Sequence, residues 1–281
     1  MKTLDLLRWR VDVARSMLVN SRRGLAFGRD VLPRGEMPEA VRTGSTELEA
    51  YVEGHDSGPG IWKWEHYLAV YERHFERFRG REVHVVEIGV YSGGSLGMWR
   101  DYFGPEAHIY GVDVAPDCRS YEGPGIDIFI GDQADPDFWR RFIDQVPRVD
   151  IVIDDGGHQT FQQLATLQAL LPHIRPGGVY LCEDICGEYD QFLDYVFGLS
   201  RGLHTYPPGT RPQKGTAPSA VQQALDSFHF YPFLTVIEKR TDRLDRLISP
   251  RRGTEWQPKA FWDAAIVSRQ SPPAGGPDPG R

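Results

Sequence analysis

Four carboxylates and an imidazole fall within two short stretches of this sequence, Asp154-Asp155-Gly156-Gly157-His158 and Glu183-Asp184. Acids gathered in one place resist joint ionisation unless a counter-charge is at hand. A divalent cation supplies that charge, and oxygen ligation selects magnesium, manganese or calcium over zinc. Asp155, Glu183 and Asp184 are the expected ligands. His158 is the expected general base, because an imidazole with an ordinary pKa of about 6.5 can take a proton at neutral pH. The competing reading is that the acids cap helices and His158 packs against its own turn.

Upstream, VEIGVYSGGS (86–95) places Gly89, Gly93 and Gly94 where a strand gives way to a helix. Glycines there let the backbone turn tightly and approach a ligand, with amides free at the helix start. The spacing Gly-x-x-x-Gly-Gly is not the GxGxxG of a pyrophosphate site, and Glu87, two residues before Gly89, suits a cationic, phosphate-free cofactor. Tyr91 and Ser95 belong to the same loop and are expected to contact that cofactor. Asp113, 24 residues after Gly89, ends the next strand and can accept from ribose hydroxyls. Asp132 can accept from an adenine amine, Gln133 adds contacts, and Asp154 is assigned to the cofactor side of the acidic motif. Each aspartate also has a local alternative, Asp113 before the Ala115-Pro116 turn and Asp132 ahead of the helix near Asp135.

These groups need a scaffold that brings distant segments together. Strand-like runs at 83–88, 108–114, 126–130, 149–154 and 178–183 alternate with helical segments near 94–103, 135–145 and 159–172. Such alternation predicts an α/β, doubly wound, mostly parallel sheet, whose ligands lie beyond the carboxyl ends of its strands. The stretch FHFYPFLTVIEK (228–239) adds two strand-like runs broken at Pro232, predicting an antiparallel strand near the C-terminal end of a Rossmann-like sheet. Ahead of the sheet, 3–20 reads as an amphipathic helix, with a short helix near 45–53 and another over 62–79. The apolar stripe of that last helix is Trp64, Leu68, Tyr71, Phe75 and Phe78, which assigns Trp64 and neighbouring Trp62 and Tyr67 to core packing ahead of lining a site. The expected domains are an N-terminal helical and connecting extension (1–60), a catalytic domain (61–240) and a C-terminal extension (241–281) whose tail, 271–281, is expected to be disordered. Residues 200–217, with Arg201, His204, Tyr206, Pro207, Pro208, Arg211 and Lys214, form a long irregular stretch that reads as a lid or as a surface linker.

Composition bounds the rest. The net charge of −7 disfavours broad nucleic-acid binding, although residues 1–35 carry +5 and the remainder −12. No run of 18 apolar residues predicts a membrane span, and the N-terminus lacks the apolar core of a secretory signal. Three cysteines without CxxC pairing point to a reduced, cytoplasmic protein without structural zinc.

Taken together, VEIGVYSGGSLGMWRDYF, IYGVDV, GDQADPDF, VIDDGGH, LLPHIRPGGVYLCED and FHFYPFLTVIEK resemble the metal-dependent sugar O-methyltransferases of macrolide biosynthesis, over roughly residues 62–239. The family reads DDGSH where this chain has Asp154-Asp155-Gly156-Gly157-His158, a change that spares the ligand positions. The resemblance implies a class I methyltransferase using S-adenosyl-L-methionine and Mg2+ (or Mn2+), with Asp155, Glu183 and Asp184 holding the metal and His158 as base. It further implies a small-molecule glycoside or polyol acceptor; a homo-oligomer is expected, and the charge and the lack of a long apolar run predict neither nucleic acid nor membrane as partner. Region 1–60 does not match the family's N-terminal domain. Two other readings keep the fold: a cephalosporin-hydroxylase-like protein, and a catalytically silent cofactor-binding scaffold.

Overall fold

The computed structural model describes residues 3–30, 45–187, 190–205, 215–250 and 252–254. The chain divides into two compact units, Met1–Gly44 and Ser45–Arg281. Among the described residues, the first unit contains one helix, α1 (Thr3–Asp30). It runs ten residues past the expected end at residue 20, because Gly24 and Gly28 each cost a helix only about 1 kcal/mol and no proline interrupts it. Among the described residues, no helix is long and apolar enough to cross a membrane.

The second unit is built on a seven-stranded sheet of order β3-β2-β1-β4-β5-β7-β6. Strands β1 (Val83–Ile88), β2 (Ala107–Asp113), β3 (Ile126–Ile130), β4 (Val149–Asp154) and β5 (Ile174–Cys182) pair in parallel. β7 (Leu234–Lys239) runs antiparallel to β5 and to β6 (Leu225–Tyr231). This is the doubly wound, Rossmann-like sheet expected from the sequence, with the antiparallel strand at its C-terminal side. The turn at Pro232 and Phe233 separates β6 from β7, since proline cannot donate to a ladder.

One face of the sheet is covered by α2 (Glu47–Glu53), α3 (Glu65–Phe75) and α4 (Gly94–Phe103), which bury Leu48, Tyr71, Phe75 and Trp99 against Val85, Ile151 and Leu181. The other is covered by α5 (Pro136–Gln145), α6 (Thr160–His173) and α7 (Gln191–Ser200), which bury Trp139, Phe142, Leu170 and Phe192 against Val86, Val152 and Tyr180. A short α8 (Ala220–Ala224) precedes β6, started by a capping box between Ser219 and Gln222. Capping also explains the start of α2, where Thr46 and Glu49 exchange bonds with each other's backbone, and of α5, where Asp135 accepts from Asp137 N–H ahead of Pro136.

The helix expected over 62–79 is shorter, spanning Glu65–Phe75 with a 3-10 turn at Glu76–Phe78. Trp64 is extended (φ −65°, ψ 133°), and the preceding residues 61–64 form an open strap. Leu68, Tyr71, Phe75 and Phe78 are buried as the stripe requires, but Trp64 is 52% exposed and Trp62 84% exposed. The core-packing expectation therefore fails for both tryptophans: the strap ends before the helical period begins. Tyr67, the first buried residue of the helix, does pack in the core. The expected disordered tail and Tyr206, Pro207, Pro208, Arg211 and Lys214 of the irregular stretch lie outside the described residues.

Candidate active site

In a sheet of this order the chain leaves β1 in one direction through β2 and β3, then returns to β4 on the other side. The crevice beyond β1 and β4 is the switch point where ligands of doubly wound sheets bind. A cleft of about 1220 Å³ opens there, lined by the ends of β1, β2, β4 and β5 and by the strap before α3. It exceeds the roughly 300–1,000 Å³ of an ordinary small-molecule pocket, leaving space for two ligands side by side.

Gly89, Tyr91, Ser95, Asp113 and Gln133 line this cleft, as do Asp155, His158, Glu183 and Asp184. Glu87, Gly93, Asp132 and Asp154 are not among its lining residues, and the structure shows what each does instead. Glu87 is fully buried and accepts a hydrogen bond from Ser95 Oγ at 2.7 Å. Gly93 takes a left-handed φ of 75° to start α4, with Tyr121 packed over its Cα. Asp132 accepts from Ala134 N–H at 2.8 Å, the local role that competes with adenine recognition. Asp154 accepts from Gln133 Nε2 at 3.0 Å and Tyr180 Oη at 2.9 Å, and burial raises its carboxyl pKa to about 7. Gln133 in turn accepts from Gly157 N–H at 2.6 Å, so Asp154 reaches the acidic loop through Gln133.

Asp113 holds the glycine loop in place. Its Oδ2 accepts from Val90 N–H and Tyr91 N–H at 2.9 and 3.1 Å, and its Oδ1 from Ala115 N–H at 2.9 Å. The loop is pressed against the neighbouring one: a Cβ on Gly89, which has φ of 90°, would lie 2.0 Å from the Asp155 carbonyl oxygen.

The acidic wall follows from strand alternation. Val85 and Glu87 in β1, Ile151 and Ile153 in β4 with Asp155 just past its end, and Val179 and Leu181 in β5 with Glu183 just past its end, each step by two residues along one face of the sheet. Glu87, Asp155 and Glu183 therefore share one face at the ends of three neighbouring strands. Lys63, from the strap, inserts among them with a side chain only 4% exposed. Its ammonium donates to Asp155 Oδ2 at 2.6 Å and to both Glu183 carboxylate oxygens at 3.2 Å, and lies 3.2 Å from Glu87 Oε1. Burial alone would lower its pKa, but the charges of Glu183, Glu87 and Asp155 outweigh that and raise it well above the ordinary lysine value. Burial pushes Glu183 upward, opposed by the charge of Lys63 and by a 2.6 Å hydrogen bond from Tyr71 Oη. The sequence reading missed Lys63; its only sequence signal is a lysine between two tryptophans at the foot of an apolar helix.

Asp184 is oriented by the same strap. Its Oδ1 accepts from Trp64 Nε1 at 3.0 Å and Tyr67 Oη at 2.9 Å. Its Oδ2 lies 3.9 Å from His158 Nε2, which is 4.0 Å from Asp155 Oδ1. Those gaps are too long for hydrogen bonds. Asp155, His158 and Asp184 each offer a ligand atom within 4.8 Å of the others, a spacing that ligands about 2.1 Å from a shared magnesium reach with small rotations. Glu183 stands outside that trio, turned toward Lys63 and Tyr71. Among the described residues, the non-glycine positions with positive φ are Tyr91, His158, Asp184 and Phe233. Three of them line the cleft, and the fourth, Phe233, packs its ring 5.5 Å from Trp64. Backbone strain of this kind is sustained where a site demands it.

Known proteins similar to this chain include methyltransferases. Residues 86–185 match the family model of a methyltransferase domain. The 8-demethyl-8-alpha-L-rhamnosyl tetracenomycin-C 2'-O-methyltransferase of Streptomyces olivaceus is 36% identical over 204 residues, which is 66% of this chain and 53% of that protein. Mycinamicin VI 2''-O-methyltransferase of Micromonospora griseorubida is 40% identical over 126 residues, 42% of this chain and 31% of that one. A methyltransferase of the mycinamycin biosynthetic pathway, solved with Mg, SAH and mycinamycin VI, superposes with a TM-score of 0.61 at 28% identity, covering 79% of this chain and 59% of its own. The chain spans about half the length of the tetracenomycin relatives it matches. Residues 86–185 thus form a methyltransferase domain, set in a chain that resembles the sugar O-methyltransferases of natural-product pathways in both sequence and fold.

Proposed function

We propose that this chain transfers a methyl group from S-adenosylmethionine to a hydroxyl on the sugar of a natural-product glycoside, with the help of a magnesium or manganese ion. The observation that carries the reading is the convergence, in one cleft, of the glycine loop held by Asp113 with Asp155, His158 and Asp184. The glycine-loop side would take the cofactor, and Asp155, Asp184 and, after rotation toward the cleft, Glu183 would hold the cation. The carboxylates of Asp155 and Asp184, whose oxygens lie within 4.8 Å of one another, are oxygen donors that fit a hard divalent ion.

When bound, the cofactor supplies an electrophilic methyl and the cation favours the ionised form of a nearby acceptor hydroxyl. His158, 39% exposed and in a strained left-handed conformation, presents Nε2 to the cleft between Asp155 and Asp184. It takes the hydroxyl proton as the acceptor oxygen bonds to the methyl carbon and the carbon–sulfur bond breaks, leaving the homocysteine thioether. Trp62, Trp64 and Tyr91 wall the cleft with aromatic surface suited to the apolar face of a sugar.

The test is methyl transfer from labelled S-adenosylmethionine to a panel of glycosides, with and without EDTA, by the native chain and by His158→Ala. Transfer should vanish in EDTA and return with Mg2+, and His158→Ala should lose it by about 10²-fold or more while still binding SAH. Full turnover by His158→Ala, or after exhaustive chelation, would remove the base or the metal from the reading. A carboxylate and imidazole set of this completeness is not needed by a silent scaffold, and binding of SAH without any transfer would favour that alternative.

A further inference from the structure

We propose that Lys63 is a built-in counter-charge that couples the cofactor side of the cleft to its acidic side, keeping the site assembled before any divalent ion arrives. The proposal rests on the methyltransferase reading of the cleft and adds a residue to it. An ammonium has three protons, and Lys63 meets three carboxylates: Asp155 at 2.6 Å, Glu183 at 3.2 Å and Glu87 at 3.2 Å. Each belongs to a different strand end, β4, β5 and β1. Glu87 Oε1 is buried without a hydrogen bond, so the Lys63 charge is what faces it. Glu87 also takes the Ser95 hydroxyl at the first turn of α4, which ties the glycine loop to the same ammonium.

The rest of the strap extends the coupling. Trp64, the residue after Lys63, donates to Asp184 Oδ1, and Tyr67 and Tyr71 of α3 donate to Asp184 and Glu183. One segment thus grips all three expected metal ligands while Lys63 reaches the cofactor-loop strand. Without the lysine charge, the buried Glu87 and Glu183 and the partly buried Asp155 would face one another uncompensated, and breaking such a cluster is costly. A divalent ion on the acidic wall would then be the remaining source of positive charge. Lys63 is therefore a positioning residue, and its removal should make cofactor binding conditional on metal.

The experiment measures SAH affinity by calorimetry for the native chain, Lys63→Met and Lys63→Arg, each in EDTA and in Mn2+, with melting temperatures recorded under the same two conditions. The native chain should bind SAH with little dependence on Mn2+. Lys63→Met should bind it more weakly in EDTA by a factor of about 5 to 150, the usual range of coupling between sites, and Mn2+ should restore most of that loss. Lys63→Arg, which keeps the charge, should behave as the native chain. Where Lys63→Met does not fold, Lys63→Gln takes its place, and Mn2+ should raise its melting temperature more than it raises that of the native chain. Equal metal dependence in native and Met or Gln variants overturns the proposal, and so does a loss that Mn2+ leaves untouched. Absence of SAH binding by the native chain would instead overturn the methyltransferase reading, and the Mn2+ melting comparison would then decide the role of Lys63 alone.

Discussion

Gly89→Ala is the substitution whose consequence the structure fixes most closely. Gly89 follows β1, donates its N–H to Val112 O at 2.9 Å, and has φ of 90°. An alanine there meets two costs. The left-handed conformation costs a residue with a Cβ about 1–2 kcal/mol. The Cβ would also lie 2.0 Å from Asp155 O and 2.8 Å from Asp155 C, both backbone atoms, so the two loops must part by more than an ångström. Overpacking of that kind costs about 1–3 kcal/mol. The total, about 2–5 kcal/mol, corresponds to a fall in melting temperature of about 4–20 °C for a unit of this size. Gly80→Ala separates the two terms, since Gly80 has φ of 64° but nothing within 4 Å of its would-be Cβ. It should lose only the conformational part, about 2–8 °C. Because the clash pushes apart two loops that line the cleft, Gly89→Ala should also weaken the SAH binding proposed there, and Gly80→Ala should not. Equal melting temperatures for the two variants, or native SAH affinity in Gly89→Ala, would refute the close approach of the loops.

Two further outcomes follow from other parts of the molecule. Glu238 is hydrogen-bonded by His74 Nδ1 at 2.8 Å and paired with Arg77 at 3.0 Å, in that order of effect, and its pKa falls from 4.5 to about 2. Its contribution to stability is therefore fully present above pH 4.5 and is lost as pH falls through about 2, so Glu238→Gln should flatten the acid limb of the melting-temperature profile in that window. An unchanged acid limb would show that the ion pair contributes nothing. Trp62, 84% exposed on the cleft wall with its ring 6.3 Å from that of Tyr91, should act on the acceptor. Trp62→Ala should raise the glycoside KM by about 5–30-fold, the worth of about 1–2 kcal/mol of aromatic contact, with native SAH affinity and melting temperature; a KM that does not move would take the tryptophan out of acceptor binding.

Much of the scaffold was legible before any coordinates. Strands of a parallel sheet end at one edge, so acids at the ends of 83–88, 108–114 and 149–154, and just beyond 178–183, had to gather there once the alternation of strands and helices was recognised. Asp113, Asp155, His158, Glu183 and Asp184 line the cleft for that reason. Glu87, Asp132 and Asp154 sit equally near strand ends yet turn to Ser95, Ala134 and Tyr180, because a carboxylate near a backbone N–H or a buried hydroxyl is satisfied locally before it meets a ligand. The strap was the least legible part. Helical periodicity carried Trp64 into the apolar stripe of α3, whereas the helix begins one residue later and leaves both tryptophans at the cleft.

By itself, then, the sequence determined the sheet, its order of strands and helices, and the edge at which chemistry had to occur, because hydrophobic period and strand-end chemistry are local properties read over a few residues. Only the tertiary structure decided which acids face the cleft and which are spent inside the protein. It also brought Lys63, 92 residues from Asp155 and 120 from Glu183 along the chain, into their midst. Charge compensation among buried groups depends on which side chains meet in space, and no spacing along the chain encodes that meeting.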